Sequence, residues 1–206
     1  MPCPGGFLPG HKPYCHFYEG DDENMSELIE KTVSQDYRFQ GKIISLRVDK
    51  AELPNGRLAT REVVEHPGGV CIAALTEKDE LLFVRQFRYP YGEVLLELPA
   101  GKLERGEDPL EAGKRELREE TGASAEQYVS LGKLYPSPGY CGEIIHLYLA
   151  AGLQFGEMHP DEDEFLEAER IPLDEAVRRV LANEIPDAKT QTAVLKVAAL
   201  KQQGRI

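Results

Sequence analysis

The chain has 206 residues, 41% of them hydrophobic, which suits one packed core and requires no second domain. Its formal net charge of −12 argues against a surface for nucleic acid or anionic membrane, although a local cation-bearing site could still hold a phosphate ligand. No apolar run nears the roughly 20 residues that span a bilayer, and no basic stretch leading into an apolar one marks a signal peptide, so a cytoplasmic location is expected.

Residues 1–24 are rich in Gly, Pro and polar or acidic side chains with little to bury. Disorder is expected there, and either Met25 is the natural start or the segment before it is dispensable. Cys3, His11, Cys15 and His16 match no common zinc-finger spacing. Cys71 falls in an apolar run and Cys141 in a distant loop, so the cysteines read as reduced thiols. Residues 25–60 predict an antiparallel ribbon: Ile43 to Val48 alternates as a strand, Pro54-Asn55-Gly56 is a hairpin turn, and Arg57 to Glu65 returns. Residues 61–206 are expected to form the main domain. In it Val70 to Leu75, Leu81 to Phe87 and Val94 to Glu97 predict short apolar strands that lead into a loop at Gly101.

That loop opens the segment GKLERGEDPLEAGKRELREETGA, Gly101 to Ala123. Asp108 is a candidate N-cap, Pro109 suits the first helical position, and Glu111 can complete a capping box. Leu110, Gly113 and Leu117 recur at helical spacing, and Gly122 supplies a left-handed stop. Glu116, Glu119 and Glu120 then share one face near the C-terminal end, where like charges and the helix dipole both oppose them. A solvated face with Glu111–Arg115 and Arg115–Glu119 pairs is one reading. Hard oxygen ligands for a magnesium ion that also holds substrate phosphates is the other.

Beyond the helix, Tyr128 to Tyr135 and Glu143 to Ala151 predict strands around a Ser137-Pro138-Gly139 turn. Leu173, Ala176, Val177, Val180 and Leu181 mark one amphipathic helix, and Ala193, Val194, Val197 and Leu200 mark a second after Pro186. The acidic run Asp161 to Glu164 is no calcium loop, because Leu166 stands where an EF-hand needs glycine. Elements in this order predict an α/β fold with a sheet layered between helices.

Gly101, Glu107, Arg115, Glu116, Leu117, Glu119, Glu120, Gly122 and Ala123 occupy every fixed position of the Nudix box, and the segment resembles that family. Over residues 36–200, RQFRYP, ELPAGKLE, PSPGY, DEDEF and PDAKT are similar to its ADP-ribose pyrophosphatase branch. The resemblance implies a Nudix-type α/β/α sandwich with a mixed sheet, preceded by a ribbon that serves a homodimer. It further implies Mg²⁺-dependent hydrolysis, with Mn²⁺ or another divalent cation able to substitute, of a nucleoside diphosphate linked to another moiety. ADP-ribose, cleaved to AMP and ribose 5-phosphate, is the favoured substrate. A nucleotide sugar such as GDP-mannose, or a module that senses ADP-ribose without cleaving it, are the alternatives.

By the same resemblance Glu116, Glu119 and Glu120, the Ala100 carbonyl and Glu164 would hold metal, and Glu162 would be the general base. Glu120 is also taken as catalytic. Gly101, Glu107, Arg115 and Gly122 would brace the box. Arg88, Ser137 and Glu143 would contact substrate, as would Arg61 from a partner subunit. Without the resemblance Arg61 reads as a cross-strand ion pair, Glu143 as a surface residue and the acidic run as a solvated loop.

Overall fold

A computed structural model of the chain describes residues 28–159 and 165–206. Its first sheet contains β1 (Lys31–Ser34), β2 (Tyr37–Gln40), β3 (Ser45–Glu52) and β4 (Leu58–Glu65). β1 and β2 lie in succession along one edge of β3, and β4 pairs the other edge from Ser45↔Glu65 to Glu52↔Leu58. The turn from β3 to β4 needs Gly56, whose φ of 78° lies in the left-handed region, and Asn55 accepts the Arg57 amide at 3.1 Å. The expected ribbon is present with two more strands than its hairpin. The division expected between residues 60 and 61 falls inside β4.

The rest of the chain adds β5 (Gly69–Ala74), β6 (Glu80–Arg88), β7 (Glu93–Glu97), β8 (Ala100–Lys102), α1 (Pro109–Thr121) and β9 (Ala123–Leu134). It continues with β10 (Ile145–Phe155), β11 (Leu166–Pro172), α2 (Leu173–Leu181) and α3 (Ala188–Gln202). One sheet runs β8-β5-β10-β9, with β10 parallel to β5 and the other pairs antiparallel; a second runs β11-β6-β7, antiparallel throughout. The β8-β5-β10-β9 sheet is therefore mixed, as expected.

β5 is buried along its whole length, as a strand covered on both faces must be. Its side chains alternate between two cores. Val70, Ile72 and Ala74 pack with Ala112 and Leu117 of α1, whereas Cys71 and Ala73 pack with Ala193, Val194 and Val197 of α3 and with Ala176 and Val180 of α2. That alternation makes the α/β/α sandwich. Burial pushes the Cys71 thiol pKa up and outweighs the opposing effect of the Lys189 charge, so Cys71 packs as a small hydrophobe.

Several boundaries differ from the expectation. β9 starts at Ala123, directly after the Gly122 stop, and β10 runs on to Phe155, because the two strands pair antiparallel from Ile145↔Leu134 to Phe155↔Ala123. Leu181, expected on the inner face of α2, is exposed at the helix end, while Leu173, Ala176 and Val180 are buried. The capping box is half made: Asp108 accepts from the Leu110 and Glu111 amides at 2.9 and 3.2 Å, but the Glu111 carboxylate pairs with Lys114 at 2.7 Å. No helix among the described residues is long and apolar enough to cross a membrane.

Candidate metal and diphosphate site

The sandwich sets the C-terminal half of α1 against the β7–β8 passage. Asp108 and Pro109 fix where the helix starts, and Gly122, at φ 67°, ends it with its amide on the Arg118 carbonyl at 2.9 Å. Gly113 lets the helix come close, since a Cβ there would stand 2.5 Å from Ile72 Cδ1. Glu116 and Glu120, one turn apart, thereby turn inward and are 7% and 1% exposed.

Both carboxylates meet the Ala100–Gly101 backbone. Glu120 Oε2 accepts the Ala100 amide at 3.0 Å. The Glu116 carboxyl carbon lies 1.9 Å from where a Cβ on residue 101 would be, so any side chain at Gly101 would displace that carboxylate. Glycine is required here for close approach.

Arg115 is the internal counterion. Its Nη1 donates to Glu116 at 2.8 Å and to Glu119 at 2.9 Å, and its Nε donates to Glu107 at 3.1 Å. Glu107 also accepts the Glu104 amide at 2.9 Å, which ties the loop to the helix. The Arg115 hydrogen bond holds the Glu107 carboxyl below the usual carboxylate range, and the same bond raises the pKa of Arg115. The repulsion anticipated on this face is thus partly offset by one arginine, and the expected Arg115–Glu119 pair forms. The expected Glu111–Arg115 pair gives way to Glu111–Lys114.

Hard oxygen donors, two of them buried carboxylates on one helix face beside a backbone passage, fit a magnesium-type cation. Among the described residues no three His, Cys, Asp or Glu side chains close around one point. Glu162 and Glu164, the residues expected to supply the base and a further ligand, lie outside the described residues.

Arg88, at the end of β6, reaches the end of β7 and donates from Nε and Nη2 to the two oxygens of Glu97 at 2.8 Å each. Lys189 of α3 donates to the same carboxylate. Burial pushes the Glu97 carboxyl up, yet Arg88 and Lys189 outweigh it and bring the pKa to about 2. The hydrogen bond to Glu97 raises the pKa of Arg88, with smaller contributions from the charges of Asp187 and Glu120.

Ser137 offers its carbonyl to the Cys141 amide at 2.9 Å and holds the turn before β10. Glu143 lies near Gly69, 3.6 Å from a Cβ built there, and its Oε1 is 3.3 Å from His66 Nδ1. The same Nδ1 accepts the Gly68 amide at 3.1 Å, so a neutral His66 cannot also donate from that atom to Glu143. Beside them a cleft of about 770 Å³ opens between the ribbon and the box loop, lined by Ser45, Glu65, His66, Lys102, Leu103 and Arg105 among others. Arg61 stays on the ribbon, where its Nε donates to Glu30 at 2.8 Å.

Residues 65–193 match the NUDIX domain model, and residues 30–64 match the nucleoside diphosphate sugar hydrolase N-terminal domain. The chain belongs to the Nudix hydrolase family. It is 43% identical over 172 residues to the ADP-ribose pyrophosphatase of Bacillus subtilis (strain 168), covering 82% of this chain and 93% of that one. The methanol dehydrogenase activator of Bacillus methanolicus is 45% identical over 173 residues, covering 82% and 94%. A crystal structure of an ADP compounds hydrolase superposes with a TM-score of 0.75 at 25% identity, over 87% of this chain and 98% of that one. The Nudix-type sandwich is thus the fold of this chain.

Glu97, Lys189 and His66 were not marked by the sequence reading. Glu97 and Lys189 sit in the strings ELPAGKLE and PDAKT, which resemble the pyrophosphatase branch without revealing that the two residues touch.

Proposed function

We propose that this protein hydrolyses the diphosphate of ADP-ribose to AMP and ribose 5-phosphate, using a divalent cation, Mg²⁺ in the first instance. The observation that carries the reading is the intact box, with buried Glu116 and Glu120 meeting the Ala100–Gly101 backbone. The likeness to an ADP-ribose pyrophosphatase over nearly its whole length supports the choice of substrate.

Glu116, Glu120 and the Ala100 carbonyl would hold the cation, with Glu119 assisting and Glu164 completing the set. The bound cation would supply charge stabilisation on the diphosphate and make water a better nucleophile at neutral pH. Arg88 would donate to a phosphate oxygen and hold the diphosphate in place. Glu162 would accept the proton of the attacking water. Ser137 and Glu143 would hold the terminal ribose. Glu107 and Arg115 keep the loop and helix in register, so the carboxylates need not reorganise.

The assembly we propose is a homodimer, made through the ribbon, with Arg61 serving the partner's site. The location we propose is the cytoplasm. A second reading, a nucleotide sugar such as GDP-mannose, draws on the match of the ribbon to a sugar-hydrolase N-terminal domain.

The test is a panel of ADP-ribose, NADH, nucleotide sugars and dinucleoside polyphosphates with Mg²⁺, with products separated by chromatography. ADP-ribose is expected to give AMP and ribose 5-phosphate at the highest kcat/KM. Glu120→Gln is expected to keep the circular dichroism spectrum and lose Mg²⁺-dependent turnover by orders of magnitude; near-wild-type rates would reject the metal role. Preference for a sugar nucleotide would favour the second reading, and no cleavage of any compound would favour a binding module.

A further inference from the structure

The segment Pro186 to Thr190 opens α3 with a residue that local rules disfavour. Asp187 caps the helix through the Thr190 amide at 2.9 Å, and Lys189 follows in the first turn, where the dipole opposes a cation. The Lys189 side chain is only 12% exposed. A buried cation at a helix N-terminus bears two penalties, and an apolar side chain of similar length would bear neither.

Its partners explain its presence. Lys189 lies 3.1 Å from Asp187 Oδ1 and donates to Glu97 Oε2, the oxygen that also accepts Arg88 Nη2 at 2.8 Å. The adjacent Thr190 hydroxyl accepts the Leu98 amide at 2.9 Å. The start of α3 therefore grips residues 97 and 98, immediately before the Pro99–Ala100–Gly101 passage that meets Glu116 and Glu120. Arg88 spends Nε and Nη2 on Glu97, and this fork fixes the plane of the guanidinium. Nη1 is the donor that the fork does not use.

We propose that Lys189 is a positioning residue for the diphosphate site: it fixes the buried Glu97 carboxylate, and Glu97 in turn holds the Arg88 guanidinium in one orientation toward the substrate's phosphates. The proposal rests on the reading of Arg88 as a phosphate contact. It assigns a task to the PDAKT segment. Without Lys189, Glu97 loses one of its two cations and can rotate with Arg88, so the guanidinium samples orientations that miss the phosphate.

Lys189→Met, Lys189→Arg and the charge-balanced pair Glu97→Gln/Lys189→Met test this in the full-length protein. Initial rates on ADP-ribose with Mg²⁺ should show KM raised about tenfold in Lys189→Met with kcat changed by less than about twofold, because a contact made in ground and transition states alike is weakened. Lys189→Arg should restore most of the lost affinity. Calorimetric binding of ADP-ribose in EDTA should show the same loss without turnover. If Lys189→Met fails to melt cooperatively, the charge-balanced pair carries the comparison and should show the same rise in KM. Wild-type protein that binds ADP-ribose without cleaving it rejects the hydrolase reading, and the calorimetric comparison then decides the role of Lys189. Folded variants with a lowered Tm but wild-type KM and wild-type binding would overturn the proposal, since a purely structural lysine behaves that way.

Discussion

Glu97 is 1% exposed yet ionised, because Arg88 and Lys189 both donate to it. Its pKa is about 2 against an ordinary 4.5, so ionisation in the folded state contributes stability that is fully present above pH 4.5 and is lost as pH falls toward 2. The shift corresponds to something on the order of 3 kcal/mol. Urea titrations of wild type and Glu97→Gln should therefore differ most near neutrality and converge across that acid window; a constant difference would place the loss elsewhere. Gly101 makes a separate residue-scale prediction. A methyl group there would stand 1.9 Å from the Glu116 carboxyl carbon, so the side chain must swing away. Misplacing a group by about 1 Å costs on the order of a hundredfold in rate. Gly101→Ala is expected to melt as a folded protein and to lose about that factor in kcat, whereas an unchanged kcat would mean that the Glu116 carboxylate need not sit there.

At the scale of elements, α1 is held close to β5 by the absence of a side chain. A Cβ on Gly113 would meet Ile72 Cδ1 at 2.5 Å and Val70 Cγ2 at 3.0 Å, both in the packed core. Relief of helical glycine is worth roughly 0.5–1 kcal/mol, and overpacking costs roughly 1–3 kcal/mol. Gly113→Val, which adds a β-branch to the clash, should lose roughly 1–3 kcal/mol in urea unfolding at unchanged m-value. A variant as stable as wild type would mean that the helix can ride further out. The limits of α1 were legible beforehand because Asp108, Pro109 and Gly122 each act on their own backbone neighbourhood. β5, β6 and β7 were legible because strands buried by the sandwich keep short apolar runs. β1 and β2 were not, since all eight of their residues are exposed and carry no inward face to give a period. β11 escaped for a similar reason: on the edge of its sheet it buries only Ile171 fully. The box carboxylates could be read from fixed spacing along one helix, whereas the contact of Lys189 with Glu97 spans 92 residues and exists only once the helices cover the sheet.

For the whole molecule, the ribbon poses the question of what covers it. Val33, Tyr37, Phe39, Ile43, Ile44 and Leu58 are all exposed on it, and Phe87, Tyr89, Tyr91 and Val94 are exposed at the β6–β7 turn. Such an accumulation marks an interaction surface, and a second copy of the chain is the occupant we propose. Light scattering is then expected to give twice the 23.0 kDa chain mass, and Phe39→Asp to reduce it toward the monomer value. Arg61 on β4 allows a sharper test, because a two-fold assembly exchanges equivalent ribbons between equivalent sites. Arg61→Ala and Glu120→Gln should each be severely impaired alone. Unfolded together and refolded as an equal mixture, half of the dimers become mixed, and each of these holds one site with both Glu120 and a partner's Arg61. Activity should recover to about a quarter of wild type under that random pairing. A mixture no more active than the sum of its parts would mean that Arg61 serves its own chain or none, and dimerisation would then stabilise the ribbon without completing the site.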